Sequence, residues 1–366
     1  MAVYTTIDDP TEYFQTVMYQ GNGSAGRTIT WPGNSDLQAD WLWGKCSSET
    51  TNHYLNDTSR GITINMHSNT NDQDATDSNI FTSVGSNSFV VGSDGDINGA
   101  SRENIVWGWK ANGGTTSTNS DGDISVTVQV NSTAGFSIIT DSPGDTTART
   151  IGHGLGAKPD LIIRRARNRT EDWVVYHSAF ESTLPGGFQA LNGTAAYNDA
   201  ATTLFTSVSS TTFGVGTNFS VNGNFNYITY AFKNVQGFSR FGKYTGNGNA
   251  NGPFIYLGFT PSLIWIKRAD STGNWVMHSF DQGTNSSTGV GAGNDWNLNN
   301  NNLEANDDDS QNQYGAIDML SNGFKVRNAT NAFGAADENA DGGTYVYMAW
   351  AYNPFATSTG VAAPAR

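Results

Sequence analysis

Apolar positions along this chain come in short runs separated by polar clusters, and most of the runs alternate with the period of a strand. No stretch supplies Ala, Leu, Glu, Lys and Arg in the periodic order that a long helix needs. Three runs are nearly continuous: "ADWLWGKC" (Ala39–Cys46), "PDLIIRRA" (Pro159–Ala166) and "PSLIWIKR" (Pro261–Arg268). A strand without alternation is one covered on both faces. The three align without gaps, and Trp173 and Trp275 follow the second and third at the same spacing, with His53 at that place after the first.

The similarity extends in both directions. An alternating strand precedes each run, in "YFQTVMYQGNG" from Tyr13, "GFSIITDSPGD" from Gly135 and "GFSRFGKYTGNG" from Gly237. Downstream, Thr82–Lys110 matches Thr206–Lys233, and the third copy has "SNGFKVR" (Ser321–Arg327) followed by "GGTYVYMAWA" (Gly342–Ala351). Each closing strand carries two large residues two apart: Trp107 and Trp109, Tyr230 and Phe232, Met348 and Trp350. Period two puts such a pair on one face, where it is expected to form the core of its own unit.

These patterns predict an all-β fold of three tandem β-sandwich-like repeats with long Asn/Gly/Ser/Thr-rich loops. Unit one spans 1–112, unit two 135–236 and unit three 237–355. Residues 113–134 read as a linker in which "DISVTVQV" is an edge or inter-subunit strand, and 356–366 as a tail anchored by Pro354–Phe355.

Composition narrows the function classes. A net charge of −14 argues against nucleic acid and anionic membranes, which need clustered Lys and Arg. The single cysteine, Cys46, excludes an intrachain disulfide and a Cys-based zinc site. The first residues lack a basic start and an apolar run, so no signal peptide is expected and folding is placed in a reducing cytoplasm. No apolar stretch approaches the roughly 20 residues of a membrane span, so a soluble protein is expected.

Motifs for chemistry are sparse. The sequence has no G-x-S-x-G elbow, phosphate-cradling loop or H-E-x-x-H pair. His53 replaces an aligned tryptophan, which leaves packing as one role among others, while His177 and His278 follow the tryptophan strands and His153 sits in "GHGLG", where packing and turn roles are expected. Asp94, Asp96 and Asn98 have the D-x-D-x-N-G opening of a calcium loop, but the twelfth position is Ile105. Unit two keeps only Asn222–Gly223 there, so an Asn-Gly hairpin turn is the preferred reading. "EANDDDS" (Glu304–Ser310) reads as a solvated acidic loop. Trp31, Tyr197, Trp296 and Tyr314 lie in polar loops and are expected as exposed aromatics, able to stack on sugars, meet a receptor or form subunit contacts. Arg164–Arg165 and Lys267–Arg268 are expected to end their strands and lead into solvent, pairing with acidic loops such as "RTED" and "RAD". No catalytic residue, resident metal or cofactor is singled out.

Several stretches together, "YTTIDDPTEYFQTVMYQGNG", "KPDLIIRR" after "GHGLG", "DWVVYHSA", "SRFGKYTGNGNANGPFIYLGFTPSLIWIKR", "LSNGFKVR", "GGTYVYMAWAYNPF" and "STGVAAPAR", cover essentially the whole chain. They resemble repeat-containing virion structural proteins of marine tailed bacteriophages, cyanophage-like in character. Unit one departs from the pattern, with Gly44-Lys45-Cys46 after its strand. The resemblance carries no catalytic residues. It implies a virion location and a phage surface protein: a tail fibre, spike or appendage component involved in host attachment. Its partners would be other virion proteins, capsid or tail, and a host surface glycan or receptor, and a homo-oligomer, with a trimer favoured by the class, is expected. The alternative is a capsid decoration (cement) protein on the major capsid lattice, which a start directly at unit one favours. A glycan-degrading enzyme or a non-viral adhesin ranks below both.

Overall fold

The apolar runs become inner strands of three large antiparallel sheets in the computed structural model, which describes residues 4–185, 187–284, 298–299, 301–312, 317–328 and 335–362. In the first sheet the order is Phe14–Gln20, Glu103–Trp109, Trp41–Cys46, Tyr54–Asp57, Ile64–Met66, with Ala75–Thr76 at the far edge. The second contains Phe136–Asp141, Tyr227–Phe232, Leu161–Ala166, Val174–His177 and Gln189–Ala190 in that order. The third contains Ser239–Thr245, Thr344–Pro354, Phe259–Arg268, Trp275–Ser279 and Leu303–Glu304. Opening, closing, inner, tryptophan-side and short fifth strands thus stand in one order three times. The register agrees too, because Trp109, Phe232 and Trp350 face Trp41, Leu161 and Leu263 respectively on the inner strands.

A small sheet covers one face of each large one. These are built from Arg27–Thr30, Ser88–Val91 and Phe81–Gly85; from Arg149–Gly152, Thr212–Val215 and Phe205–Val208; and from Phe254–Tyr256, Gly323–Val326 and Ile317–Leu320, with Leu298–Asn299 added to the last. In unit one, Leu42 and Val106 pack with Ile29, Phe81 and Phe89. In unit two, Ile162 and Ala231 pack with Ile151, Phe205 and Phe213. No helix among the described residues is long and apolar enough to cross a membrane.

The opposite faces of the large sheets meet one another. Trp41, Trp43, Trp107 and Trp109 share one buried cluster with Phe136, Ile138, Tyr230 and Phe232 and with Leu263, Trp265, Met348 and Trp350. Trp41 stacks on Tyr230 at 4.2 Å between ring centroids, Trp43 meets Trp265 at 4.8 Å, and Trp350 lies 5.4 Å from both Trp109 and Phe232. The paired aromatics of the closing strands therefore build a common core between units, which corrects their assignment to separate cores. The small residue between each pair faces the sandwich interior instead. At Gly108 a Cβ would fall 2.6 Å from the Trp31 ring, so glycine there is what admits Trp31.

The expected linker strand is internal to the chain. Val126–Asn131 pairs with Phe136–Asp141 on one side and with Ser117–Asn119 on the other, extending the second sheet. Val126 and Val128 join the unit-two core, and buried Gln129 donates to the hydroxyls of Thr58 and Ser59 in unit one. The two ends of the described chain meet at unit three. Tyr4 Oη donates to Gly258 O at 2.7 Å, Thr5 Oγ1 to Gln236 O at 2.7 Å, and Ser358 donates from its amide and hydroxyl to the Asp8 carboxylate. Phe355 packs 6.1 Å from the Tyr4 ring, anchoring the tail as expected.

Because the three sheets share one core, thermal unfolding followed by calorimetry is expected to show one cooperative transition. Trp41→Ala should destabilise the whole chain by about 3–5 kcal/mol. Separate transitions, with only unit one affected by the substitution, would contradict the shared core.

Candidate functional site

The inner-strand cations are buried, two of them bonding directly across the seams between units. Lys45, Arg165 and Lys267 occupy the same strand position, and each is fully buried. Lys267 Nζ donates to the carbonyls of Ala195 (2.9 Å) and Thr194 (3.3 Å) in unit two, and to Arg268 O at 2.7 Å. Arg165 donates to the unit-one carbonyls of Thr70 (3.0 Å), His67 (3.3 Å) and Asp72, with its guanidinium 5.3 Å from the Trp173 ring centre. Lys45 Nζ donates to Cys46 O, Glu49 O and Thr51 Oγ1, while Thr51 N donates to Asp308 O of unit three. Unit three thus bonds to two, two to one, and one to three.

Ring N–H groups follow the same cycle. Trp173 Nε1 donates to His67 O and Trp275 Nε1 to Ala190 O, each at 2.8 Å. His53 accepts from Trp43 Nε1 through Nδ1 and lies against the Glu304 backbone of unit three. Burial lowers the Lys45 and Lys267 ammonium groups to about 8, with nearby carboxylates opposing the shift. The expectation that these cations lead into solvent is corrected. Arg164 is also buried, forked onto Asp141 by two 2.7 Å bonds and bonded to Val221 O and Thr229 Oγ1. Only Arg268 behaves as expected, pairing with Asp270 of "RAD" at 3.1 Å.

The histidines carry turn and packing bonds. His153 Nδ1 accepts from Leu155 N, and His177 Nδ1 from Ala179 N, each at 3.1 Å. Burial lowers His177 to about 4, so near neutrality its Nε2–H donates to Tyr347 O. His278 Nε2 lies 2.5 Å from Glu338 Oε1, and the other Glu338 oxygen accepts from Asn328 Nδ2 at 2.6 Å, all of it buried.

The calcium candidates do not converge. Asp94 caps the one-turn helix Gly95–Asn98 by accepting from Asp96 N, and Asp96 accepts from Tyr54 Oη at 2.9 Å. Asn98 is fully buried, donating to Ser24 O and Gly92 O and accepting from Asn22 N. Gly99 has a φ of −55°, so the expected Asn-Gly hairpin turn is also corrected. The asparagine is instead a backbone cross-link. Asn222 bonds Thr147 O and Gly216 O, and Asn339 bonds Asn249 O and Asn328 O, in the same manner. Asp307, Asp308 and Asp309 cluster in the acidic loop, whose backbone is tied to unit one through Asp308 O.

Of the predicted exposed aromatics, Trp31 is 2% exposed and packs 5.0 Å from Phe89, a correction that follows from the space left by Gly108. Tyr197 is half-buried, stacked on Phe180 at 4.1 Å and bonded to the Thr183 hydroxyl. Trp296 and Tyr314 lie outside the described residues. The exposed aromatics that the structure does present include Phe254, Tyr256 and Phe355.

One of these, Tyr256, lines an open groove of about 490 Å³ where the N-terminal segment crosses unit three. Its floor is the edge strand Ser239–Thr245, on which period two puts Arg240 on the face of Gly242 and Lys243 on the opposite face with Phe241, where its Nζ donates to Ala179 O at 3.4 Å and lies 5.8 Å from the Phe180 ring centre. In unit two the equivalent edge is occupied by Val126–Asn131; here it pairs with no added strand among the described residues. Tyr4 and Tyr256 form one wall, their hydroxyls 3.2 Å apart, and Asn234, Gln236 and Tyr347 complete the rest. At Gly242 a Cβ would sit 2.6 Å from Tyr347 Oη, so glycine allows that ring to cross the strand. Burial raises the Tyr4 and Tyr347 phenols, and the Arg240 guanidinium beside both opposes the rise. No carboxylate is among the described lining residues, in a chain of 33 acids and 19 bases. The sequence pattern does not mark this site, because "SRFGKYT" carries only two bases three residues apart and the tyrosines that join it lie far apart in the chain.

Two measurements test the seams. Lys267→Met should lose on the order of 1–3 kcal/mol in urea unfolding, because it leaves interface carbonyls unpaired; Lys267→Arg should lose less. Glu304, at the unit one–three seam, is raised to about 7, chiefly by burial. A raised carboxyl stabilises the fold below its unfolded pKa and loses that contribution as pH rises through about 7. Glu304→Gln is therefore expected to raise Tm relative to the parent at about pH 8, with the gap shrinking toward about pH 5.

No curated protein matches this chain. The sequence profile described as "Domain of unknown function (DUF7483)" matches residues 9–354, a span that takes in all three sheets and most of the groove, and the chain belongs to that family.

Proposed function

We propose that the chain is a structural protein of a bacteriophage particle, displayed on the particle surface as a tail fibre, spike or appendage component that takes part in host attachment. The observation that carries this reading is the contrast between its interior and its groove. The inner-strand cations and four of the five histidines are held in packing, seam and turn bonds, as building groups are. The groove presents tyrosines and the exposed Arg240 on a sheet edge that carries no added strand among the described residues. Rigid β scaffolds that carry recognition at their edges and loops suit attachment. The resemblance of motifs across the chain to virion proteins of marine tailed phages supports the same reading.

The test is imaging of particles of the encoding phage by electron cryo-microscopy, with peptide identification of the chain in purified particles. Density at a tail or appendage position is expected. Density at lattice multiplicity on the shell would replace this reading with capsid decoration, and absence of the chain from purified particles would overturn the virion assignment.

A further inference from the structure

Each sandwich has a mouth between the opening strand of its large sheet and the first strand of its small one, and the three mouths are treated differently. In unit one Gln15 bridges it. The Gln15 Nε2 donates to Thr11 O and Ser35 O at 2.8 Å each and its Oε1 accepts from Gly33 N at 2.7 Å, beside a recess of about 180 Å³. In unit two the added hairpin fills it, with Asn119 and Val130 lying where a Cβ on Gly152 or Gly154 would fall. In unit three no described segment does either. The groove of about 490 Å³ remains, within the roughly 300–1,000 Å³ of small-ligand sites.

Strand register shows which residues stand at equivalent places in the three units. On the large sheets Arg240 takes the place of Gln15 and Ser137, and Tyr347 that of Val106 and Thr229. On the small sheets Tyr256 takes the place of Thr30 and Gly152, and Phe254, two residues along the same face, that of Thr28 and Thr150. Phe254 and Tyr256 are 47% and 46% exposed, so neither ring serves the core. The two sibling sandwiches fold with threonine or glycine there, so the fold does not call for rings at these places.

The chemistry of the groove narrows its occupant. Its walls offer ring faces beside phenol hydroxyls, which both donate and accept. No described lining residue is a carboxylate, so a cationic ligand would find no counter-charge. Arg240 shares its strand face with Gly242, and its side chain is already bonded to that of Tyr347. An anion would therefore meet no unpaired cation there, in the field of a chain at −14. Uncharged hydroxyls around an apolar C–H face, as a sugar ring presents them, match what is left. A peptide strand added to the edge fits less well. Two of the amides on this edge are already bonded, Ser239 N to Val235 O and Phe241 N to the Asn234 side chain.

We propose that the groove bounded by Tyr4, Arg240, Tyr256 and Tyr347 binds a neutral oligosaccharide, one sugar ring lying against Tyr256 and the next continuing over Phe254. This rests on the attachment reading above for its biological setting, but the binding chemistry is tested separately.

The probes are three neutral trisaccharides, cellotriose, maltotriose and chitotriose, titrated into the full chain by calorimetry, with trigalacturonic acid as the charged comparison. At least one neutral sugar is expected to bind, more tightly than the acid and with an affinity that added salt leaves unchanged. Tyr256→Thr and Phe254→Thr install the unit-one residues and should each weaken binding by about tenfold, the size of one lost ring contact. Phe219→Thr removes a ring on unit two that is 45% exposed and outside the groove, and it should leave binding unchanged. All three positions are exposed, so unchanged Tm in each variant separates lost binding from lost folding. Binding of none of the neutral sugars, binding that Tyr256→Thr leaves intact, or tighter and salt-sensitive binding of the acid would overturn the proposal. Self-association that Phe254→Thr with Tyr256→Thr abolishes, without sugar binding, would overturn it in favour of a second copy of this chain. If a sugar binds but the chain is absent from particles, the attachment reading fails and the site stands. If the chain is on particles but no sugar binds, the reverse holds.

Discussion

Three large sheets each bury one face against the other two, and the rest of the architecture answers to that contact. Trp41, Trp109, Trp265 and Trp350, with Tyr230 and Phe232, fill the space between them, and all are at most 1% exposed. Aromatic side chains of this kind bury about 150–250 Å² each, so a handful of them outweighs most other terms in a β protein of short strands. The arrangement has a polar cost. The indole Nε1 atoms of Trp41, Trp109, Trp265 and Trp350 lie in this core without a hydrogen-bond partner, and each such group costs about 1–3 kcal/mol. The rings are placed for volume, and their N–H groups are the sacrifice.

A sheet covered on both faces forces its inner strands to be apolar throughout, and it also buries the ends of those strands. The polar groups at those ends then need partners from the protein, because water is excluded. Lys45, Arg165 and Lys267 meet that need with long stems and multidirectional donors, bonding carbonyls at and near the seams. Trp173 and Trp275 do the same with indole N–H groups one strand away. Charge is used here as a source of hydrogen bonds to backbone, with carboxylates mostly at a distance; the Arg164–Asp141 fork is the exception inside unit two. The same logic leaves a gap at unit three. Among the described residues its opening strand lacks the extra hairpin that covers the unit-two edge, and the unit-three edge carries the exposed Arg240.

Much of the fold is legible in the order of residues. Continuous apolar runs announce strands covered on both faces, and the recurring blocks mark opening, inner and closing strands whose order and register are the same in all three sheets. The histidine readings also come from context, since a glycine-flanked His153 and a post-strand His177 suit turn bonds. What misleads is local chemistry read without neighbours. Asn98–Gly99 looks like a hairpin because the pair favours one, whereas Asn98 is a buried cross-link whose partners, Ser24 and Gly92, are set by folding. Trp31 looks exposed because its loop is polar, and the space that buries it is the missing side chain of Gly108.

Hydrophobic periodicity alone determined the all-β class, the inner strands and the segments that would pair, because those depend on side-chain alternation within a few residues. Only the tertiary structure decided which face of each closing strand met which partner. Period two says that Trp107 and Trp109 share a face, but not that the face looks onto two other sheets instead of its own small one. The fate of the cations was decided in the same way. Whether Lys267 ends in solvent or beneath Ala195 depends on a loop 72 residues away in the chain, and that loop is brought there by packing the three aromatic faces together. The groove is the last consequence: Tyr4 reaches Tyr256 only because burying the common core draws the start of the described chain across unit three.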